Sequence, residues 1–101
     1  MEIIFEYHNA RSNGYVSSMA TKKLKRLIRK YPFIIKSYVF FKEELSLKEK
    51  GRGYICGIRL SSPGPLLYAS SHNSDLLSAL NETIKSLKTQ LNKRKSLLHN
   101  G

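Results

Sequence analysis

Lys22, Lys23, Lys25, Arg26, Arg29 and Lys30 stand within one nine-residue stretch, and Lys85, Lys88, Lys93, Arg94 and Lys95 follow Glu82 later in the chain. Residues of this type and density do one kind of chemistry: their ammonium and guanidinium groups neutralise phosphates and release the counterions held there. No Asp or Glu lies between Glu6 and Glu43, an interval that also holds Arg11, Lys36 and Lys42. The 101 residues carry a formal charge of +11, with a pI near 10.0. So small a domain repels itself at that charge, so an anionic partner is expected.

Other chemistries find less support. Cys56 is the only cysteine, which excludes an internal disulfide or a Cys-based zinc site and suits a reducing compartment. His8, His72 and His99 have no ligand spacing and read as buried, capping or exposed imidazoles rather than a metal site. The carboxylates Glu2, Glu6, Glu43, Glu44, Glu49, Asp75 and Glu82 show no paired motif, and no Ser-His-acid or Cys-His constellation is legible. Glu43 and Glu44 read as solvated charges that blunt a hydrophobic strand, and Asp75 as an acid at a helix start. An acylphosphatase-like hydrolase would need an anion-cradling loop near the first strand; Asn9, Arg11 and Asn13 supply the residue types without a Gly-rich cradle. No enzyme activity, cofactor or small-molecule substrate is expected. There is no run of about twenty apolar residues to span a bilayer. The N-terminal MEIIFEYHN places two glutamates where a signal peptide carries basic residues. A soluble, cytoplasmic protein with no membrane partner is the expectation.

The elements that must position the basic groups follow from periodicity. Glu2 to Tyr7 alternates Ile3, Phe5 and Tyr7 against Ile4 and Glu6, a strand pattern that Arg11-Ser12-Asn13-Gly14 breaks. From Val16 to Tyr31 the apolar residues Val16, Met19, Ala20, Leu24, Leu27, Ile28 and Tyr31 recur at helical spacing, and Pro32 ends the run. Ile34 to Leu45 holds Tyr38-Val39-Phe40-Phe41, a β-forming run apolar on both faces, and Ser46 to Gly53 reads as a charged hairpin loop. Arg52 to Ser61 forms a third strand, with Tyr54, Cys56, Ile58 and Leu60 on one face and Ile55, Gly57 and Arg59 on the other. Ser61-Ser62-Pro63-Gly64-Pro65 has the composition of a turn, and Leu66 to Ser71 makes a short fourth strand. Ser74 or Asp75 caps a second helix whose stripe is Leu76, Leu77, Leu80, Ile84, Leu87 and Leu91 and which runs to about Leu98.

The order β-α-β-β-β-α predicts an α+β fold. A right-handed crossover sets the first two strands parallel, hairpins add the others antiparallel, and two helices pack on one face of a four-stranded mixed sheet. Residues 1–101 make a single domain, with a basic tail frayed from about 96 to 101. On the first helix Lys22, Lys25, Arg26 and Arg29 point away from the apolar stripe, with Lys23 and Lys30 flanking it. The i,i+4 pairs Lys22/Arg26, Lys25/Arg29 and Arg26/Lys30 are all repulsive, by about 1 kcal/mol together, whereas a face kept only for solubility mixes signs. On the second helix Lys85 sits opposite the core, Lys88 at its edge and Lys93 on the outer side. Arg94 and Lys95 add charge where the helix projects beyond the sheet or serve its C-terminus, where cations offset the macrodipole.

The run LLYASSHNSDLLSALNETIKSLKTQLNKRK resembles the end of the ribosome hibernation-promoting factor and ribosome-associated inhibitor family. There a strand with small residues leads into a helix reading Asp-hydrophobic-aromatic-Ala-Ala-Ile-Asp, then Lys-Leu, Gln-Leu and a Lys-rich close. Ala69 and Ser71 match the small strand residues; Asp75, Leu76, Ala79 and Leu80 match the helix start; Leu87, Gln90, Leu91, Lys93 and Lys95 match the later positions. The sequence departs at Leu77, Asn81 and Ser86. A weaker likeness covers nearly the whole chain, through the N-terminal strand, the Lys-rich helix ending in Tyr31 and the strand Tyr38-Val39-Phe40-Phe41-Lys42-Glu43. The element order is also the family's.

The resemblance implies a protein that binds the small ribosomal subunit in the groove between head and body, where messenger and transfer RNA would sit. It would inhibit translation by occupancy, in the setting of stress and ribosome hibernation. Long members carry a further dimerisation domain and inhibitor-type members an acidic extension. The ending KRKSLLHNG points instead to the short, hibernation-promoting type, monomeric when free. The eleven Lys and Arg residues named at the outset are the expected rRNA contacts, made to phosphates, with shape rather than base edges setting the site. The alternative is a general or single-strand RNA-binding module. Arg52-Gly53-Tyr54 opens like the strand signature of the RNA-recognition motif, but Ile55, Cys56 and Arg59 then occupy its small and aromatic positions, and Tyr54 reads as core or cross-strand packing.

Overall fold

An alternating strand and two helices with one apolar stripe each can satisfy their burial only by closing on one another. The computed structural model, which describes residues 2–8, 14–46 and 51–100, does so with β1 (Glu2–His8), α1 (Gly14–Lys30), β2 (Lys36–Ser46), β3 (Gly51–Ser61), β4 (Leu67–Asn73) and α2 (Leu76–Asn100). The strands form one four-stranded sheet in the order β1-β2-β3-β4. β1 and β2 run parallel through the α1 crossover, and the β2–β3 and β3–β4 pairs are antiparallel. The expected α+β architecture is the observed one. Asn9, the Arg11–Asn13 break and loop residues 47–50 lie outside the described residues, as do the side chains of Arg52 and His99.

Register explains why β2 is apolar on both sides. Phe5, Val39, Ile58 and Ala69 form one row across the sheet on the helix side. Val39, Phe41, Cys56, Ile58, Leu60, Leu67 and Ala69 are buried there against Val16, Ala20, Leu24 and Leu27 of α1 and Ala79, Leu80, Ile84, Leu87 and Leu91 of α2. Ile3, Phe5 and Tyr7 close the β1 edge, with Phe41 ring contacts at 6.4 Å from Phe5 and 5.4 Å from Tyr7. Tyr38 and Phe40 belong to the opposite, open face. Tyr54 lies half-buried on the helix side, in register with Glu43 and Asn73, where cross-strand packing was expected.

Element ends follow local chemistry. Pro32 removes the N–H that would continue α1, so the helix closes at the bond from Tyr31 N–H to the Leu27 carbonyl, 2.7 Å. Ile35 N–H then bonds the Ser61 carbonyl at 2.7 Å, and β2 starts at Lys36 rather than at the expected Ile34. Of the two candidate caps for α2, Asp75 does the work. Its carboxylate accepts from the Ser78 N–H and the Ser78 hydroxyl, each at 2.8 Å, and these bonds hold its pKa below the ordinary 3.8. Residues 96–100 continue α2 to Asn100, since Ser96, Leu97 and Leu98 are compatible with a helix and neither Pro nor Gly intervenes. Thr83, fully buried, bonds the Ala79 carbonyl at 2.8 Å and the Cys56 carbonyl at 3.0 Å, tying α2 to β3. Burial pushes the Cys56 thiol up to about 12, against a smaller opposing effect of its bond with Thr83, and so keeps it unreactive.

Two glycines separate a steric requirement from a permissive one. A Cβ on Gly57 would overlap the Phe40 ring lying across it, whereas a Cβ on Gly14 meets nothing within 4 Å. Gly57→Ala is expected to lower unfolding free energy by about 1–3 kcal/mol and Gly14→Ala to leave it unchanged or raise it by about 0.4–1 kcal/mol, measured by urea denaturation. Asp75→Ala is expected to lower the melting midpoint at pH 7. Because the folded carboxyl titrates below its unfolded value, that difference is full above about pH 5 and vanishes as pH falls through the depressed folded pKa, which thermal melts across an acid series would trace.

Candidate nucleic-acid interface

Chain direction fixes where the cations gather. α1 and α2 each follow a strand pointing the same way and return across the sheet, so they lie side by side with both C-termini at the end that holds the β3–β4 turn. Contacts along α2 trace this path. Glu82 accepts from the Asn73 amide at 2.7 Å, Gln90 donates to the Tyr68 carbonyl at 2.8 Å, and Arg94 reaches the turn beyond Leu67. α1 holds six Lys or Arg and no acid, and α2 holds five and one Glu, so the helix layer carries a net +10 of the chain's +11.

The expected contact residues divide by what they touch. Lys22, Lys25, Arg26, Arg29 and Lys30 are exposed on α1, with Lys23 half-buried; Lys85, Lys88, Lys93 and Lys95 are exposed on α2. The two groups meet at Tyr31. Its buried ring has the Lys30 ammonium 5.5 Å and the Lys95 ammonium 6.0 Å from its centroid, and its hydroxyl donates to the Asn92 side-chain carbonyl. One aromatic ring thus brings together cations from both helices. At the other end, Tyr7 and Ser17 share a hydroxyl hydrogen bond that ties β1 to α1.

Arg94 plays a different part. One guanidinium nitrogen donates to the Ser62 hydroxyl at 2.9 Å and the Pro63 carbonyl at 2.7 Å, and the other to the Pro65 carbonyl at 2.8 Å. These bonds clamp the Ser62-Pro63-Gly64-Pro65 turn, where Gly64 takes φ +94°, a conformation that favours a residue without a Cβ. Its donors serve the fold, a role invisible in the sequence because the turn lies about thirty residues away.

The open face of the sheet holds what sequence reasoning missed. In register, Ile4, Tyr38, Arg59 and Tyr68 form one row, and Glu6, Phe40, Gly57 and Ser70 the next. The Arg59 guanidinium and the Lys36 ammonium each lie 5.1 Å from the Tyr38 ring centroid. Lys36 is held above its ordinary pKa, first by the neighbouring Tyr38 and then by Glu2, 3.6 Å away. Among the described residues this face is balanced, with Lys36, Lys42 and Arg59 against Glu2, Glu6 and Glu44. Also among the described residues, no group of His, Cys, Asp and Glu is placed to hold a metal ion, and no helix is long and apolar enough to cross a membrane.

Comparison with known proteins agrees with this geometry. The family model described as sigma 54 modulation protein / S30EA ribosomal protein matches residues 3–99. A ribosomal subunit interface protein from Coxiella burnetii superposes with a TM-score of 0.82 at 21% identity, over 95% of this chain and 99% of that one. The N-terminal domain of Thermus thermophilus Protein Y superposes with a TM-score of 0.69 at 24% identity, over 91% and 93%. No curated protein matches the sequence significantly. With nearly its whole length matched, the chain belongs to the sigma-54 modulation protein / S30EA ribosomal protein family, the ribosome-associated group to which its C-terminal run points.

Proposed function

We propose that this protein is a ribosome hibernation factor that inhibits translation by lodging its helix layer against the rRNA of the small subunit, in the groove where messenger and transfer RNA would otherwise sit. The observation that carries the reading is the concentration of a net +10 in two adjacent helices of a chain that belongs to a ribosome-associated family. The name of the Coxiella relative, a ribosomal subunit interface protein, supports the same location. Nine of the eleven expected contact residues are exposed, Lys23 and Arg94 are half-buried, and Arg94 also holds the turn that braces α2. The mechanism is occupancy: cations on a rigid platform replace the counterions of a folded RNA surface, and no bond is made or broken. The protein acts in the cytoplasm, as a monomer when free.

The helix surface meets phosphates whatever their sequence, so a general RNA binder is the reading to be separated from this one. Sedimentation with ribosomes in the presence of excess tRNA separates them: stoichiometric migration with the small subunit that survives the competitor is the expected result. Joint replacement of Lys22, Lys25, Arg26 and Arg29 by Glu is expected to abolish co-sedimentation while circular dichroism remains that of the parent. Unchanged binding by the folded variant would refute the proposal. If about six to eight phosphates are neutralised, log affinity falls with log salt at a slope of about −4 to −7, measured by titration at several salt concentrations.

A further inference from the structure

The sheet face turned away from the helices presents a surface of another kind. An open depression of about 750 Å³ lies on it, lined by Glu6, His8, Phe40, Lys42, Arg59 and Tyr68. Tyr68 is 43% exposed, and the Phe40 ring lies flat across Gly57 at the centre of the sheet, where any side chain would displace it. The exposed Arg59 stands in register between Tyr38 and Tyr68, stacked over the first, and no carboxylate among the described residues lies within ion-pair distance of it.

These groups select their ligand. Two aromatic surfaces suit a flat π-system; an exposed guanidinium suits a phosphate and stacks on rings as an ammonium does not. The Glu6 carboxylate at the rim accepts from amino or hydroxyl groups. Base, phosphate and ribose together make a nucleotide. A protein partner fits less well, because Lys42 and Arg59 line the patch, and the buried centre of a protein interface is depleted of charge. A free mononucleotide fits less well too. Sites for small ligands bury most of the molecule, whereas this depression is shallow and open, so neighbouring nucleotides must add contacts along the sheet.

We propose that the open sheet face binds an unpaired nucleotide of an RNA strand, its base against Phe40 and Tyr68 and its phosphate at Arg59. The site does not depend on the helix layer, from which the whole thickness of the sheet separates it. It gives the protein two unlike RNA contacts: charge-dominated and sequence-blind on the helices, stacking-dominated on the sheet.

Titration of the isotope-labelled full chain with single-stranded adenosine and uridine tetranucleotides, followed by amide chemical shifts, tests this. Shifts at Phe40, Gly57, Arg59 and Tyr68 are expected, and they persist in the variant with Glu at Lys22, Lys25, Arg26 and Arg29, so a failure here is distinct from a failure of the ribosome reading. Arg59→Ala and Tyr68→Ala are each expected to weaken tetranucleotide binding about fivefold or more while leaving the spectrum of the core intact. Shifts confined to α1 and α2, or affinity unchanged in both variants, would overturn the proposal. Binding of adenosine monophosphate as tight as the tetranucleotide would also overturn it, in favour of a free-nucleotide pocket.

Discussion

A single constraint governs this molecule: two helices that carry almost all of its net positive charge must pack side by side and stay there. The three repulsive i,i+4 pairs on α1 cost about 1 kcal/mol between them. Burial of one leucine such as Leu24 or Leu27 contributes about 1.5–3 kcal/mol, so the apolar stripe outweighs the repulsion within its own helix. The charge is therefore tolerated because the opposite side of each helix is wholly committed to the core. A weaker core could not hold a surface of this sign together.

Helix direction lowers the cost further. α1 ends with Arg29 and Lys30 in its last turn, where its carbonyl groups leave partial negative charge, whereas Lys93, Arg94 and Lys95 stand more than a turn before the end of α2 at Asn100. Cations at a helix C-terminus gain about 0.3–1 kcal/mol each when exposed. Tyr31 adds a shared ring face to Lys30 and Lys95 and a hydrogen bond to Asn92, so the place of densest charge is also the place where α1 and α2 are latched. Arg94 extends the latch to the β3–β4 turn. Electrostatics and packing meet in the same side chains, which makes the cationic surface rigid and suits recognition by shape.

The sheet divides the protein into two chemical sides. On one side Phe5, Val39, Ile58 and Ala69 form a dry row beneath the helices; on the other Ile4, Tyr38, Arg59 and Tyr68 form a row open to solvent. Lys36 and Lys42 are offset there by Glu2 and Glu44, leaving Arg59 the cation without a carboxylate partner among the described residues of that face. A balanced, aromatic surface opposite a strongly cationic one gives a single small domain two chemically unlike faces.

The sequence by itself determined the element order, the one-sided burial of both helices and the identity of the basic stretches, because those depend on periodicities of 2 and 3.6 and on local caps and breakers that neighbours in the chain supply. The C-terminal run likewise carried the family, since its pattern is local. Tertiary structure alone decided three other matters. It bonded Arg94 to a turn some thirty residues away, joined Lys30 to Lys95 over Tyr31, and set Arg59 of β3 over Tyr38 of β2. Each is a meeting between distant segments, and alternation cannot reveal it: Tyr38 and Val39 look equally apolar in a strand, and only the strand register and the side on which the helices settle decide which of them faces water.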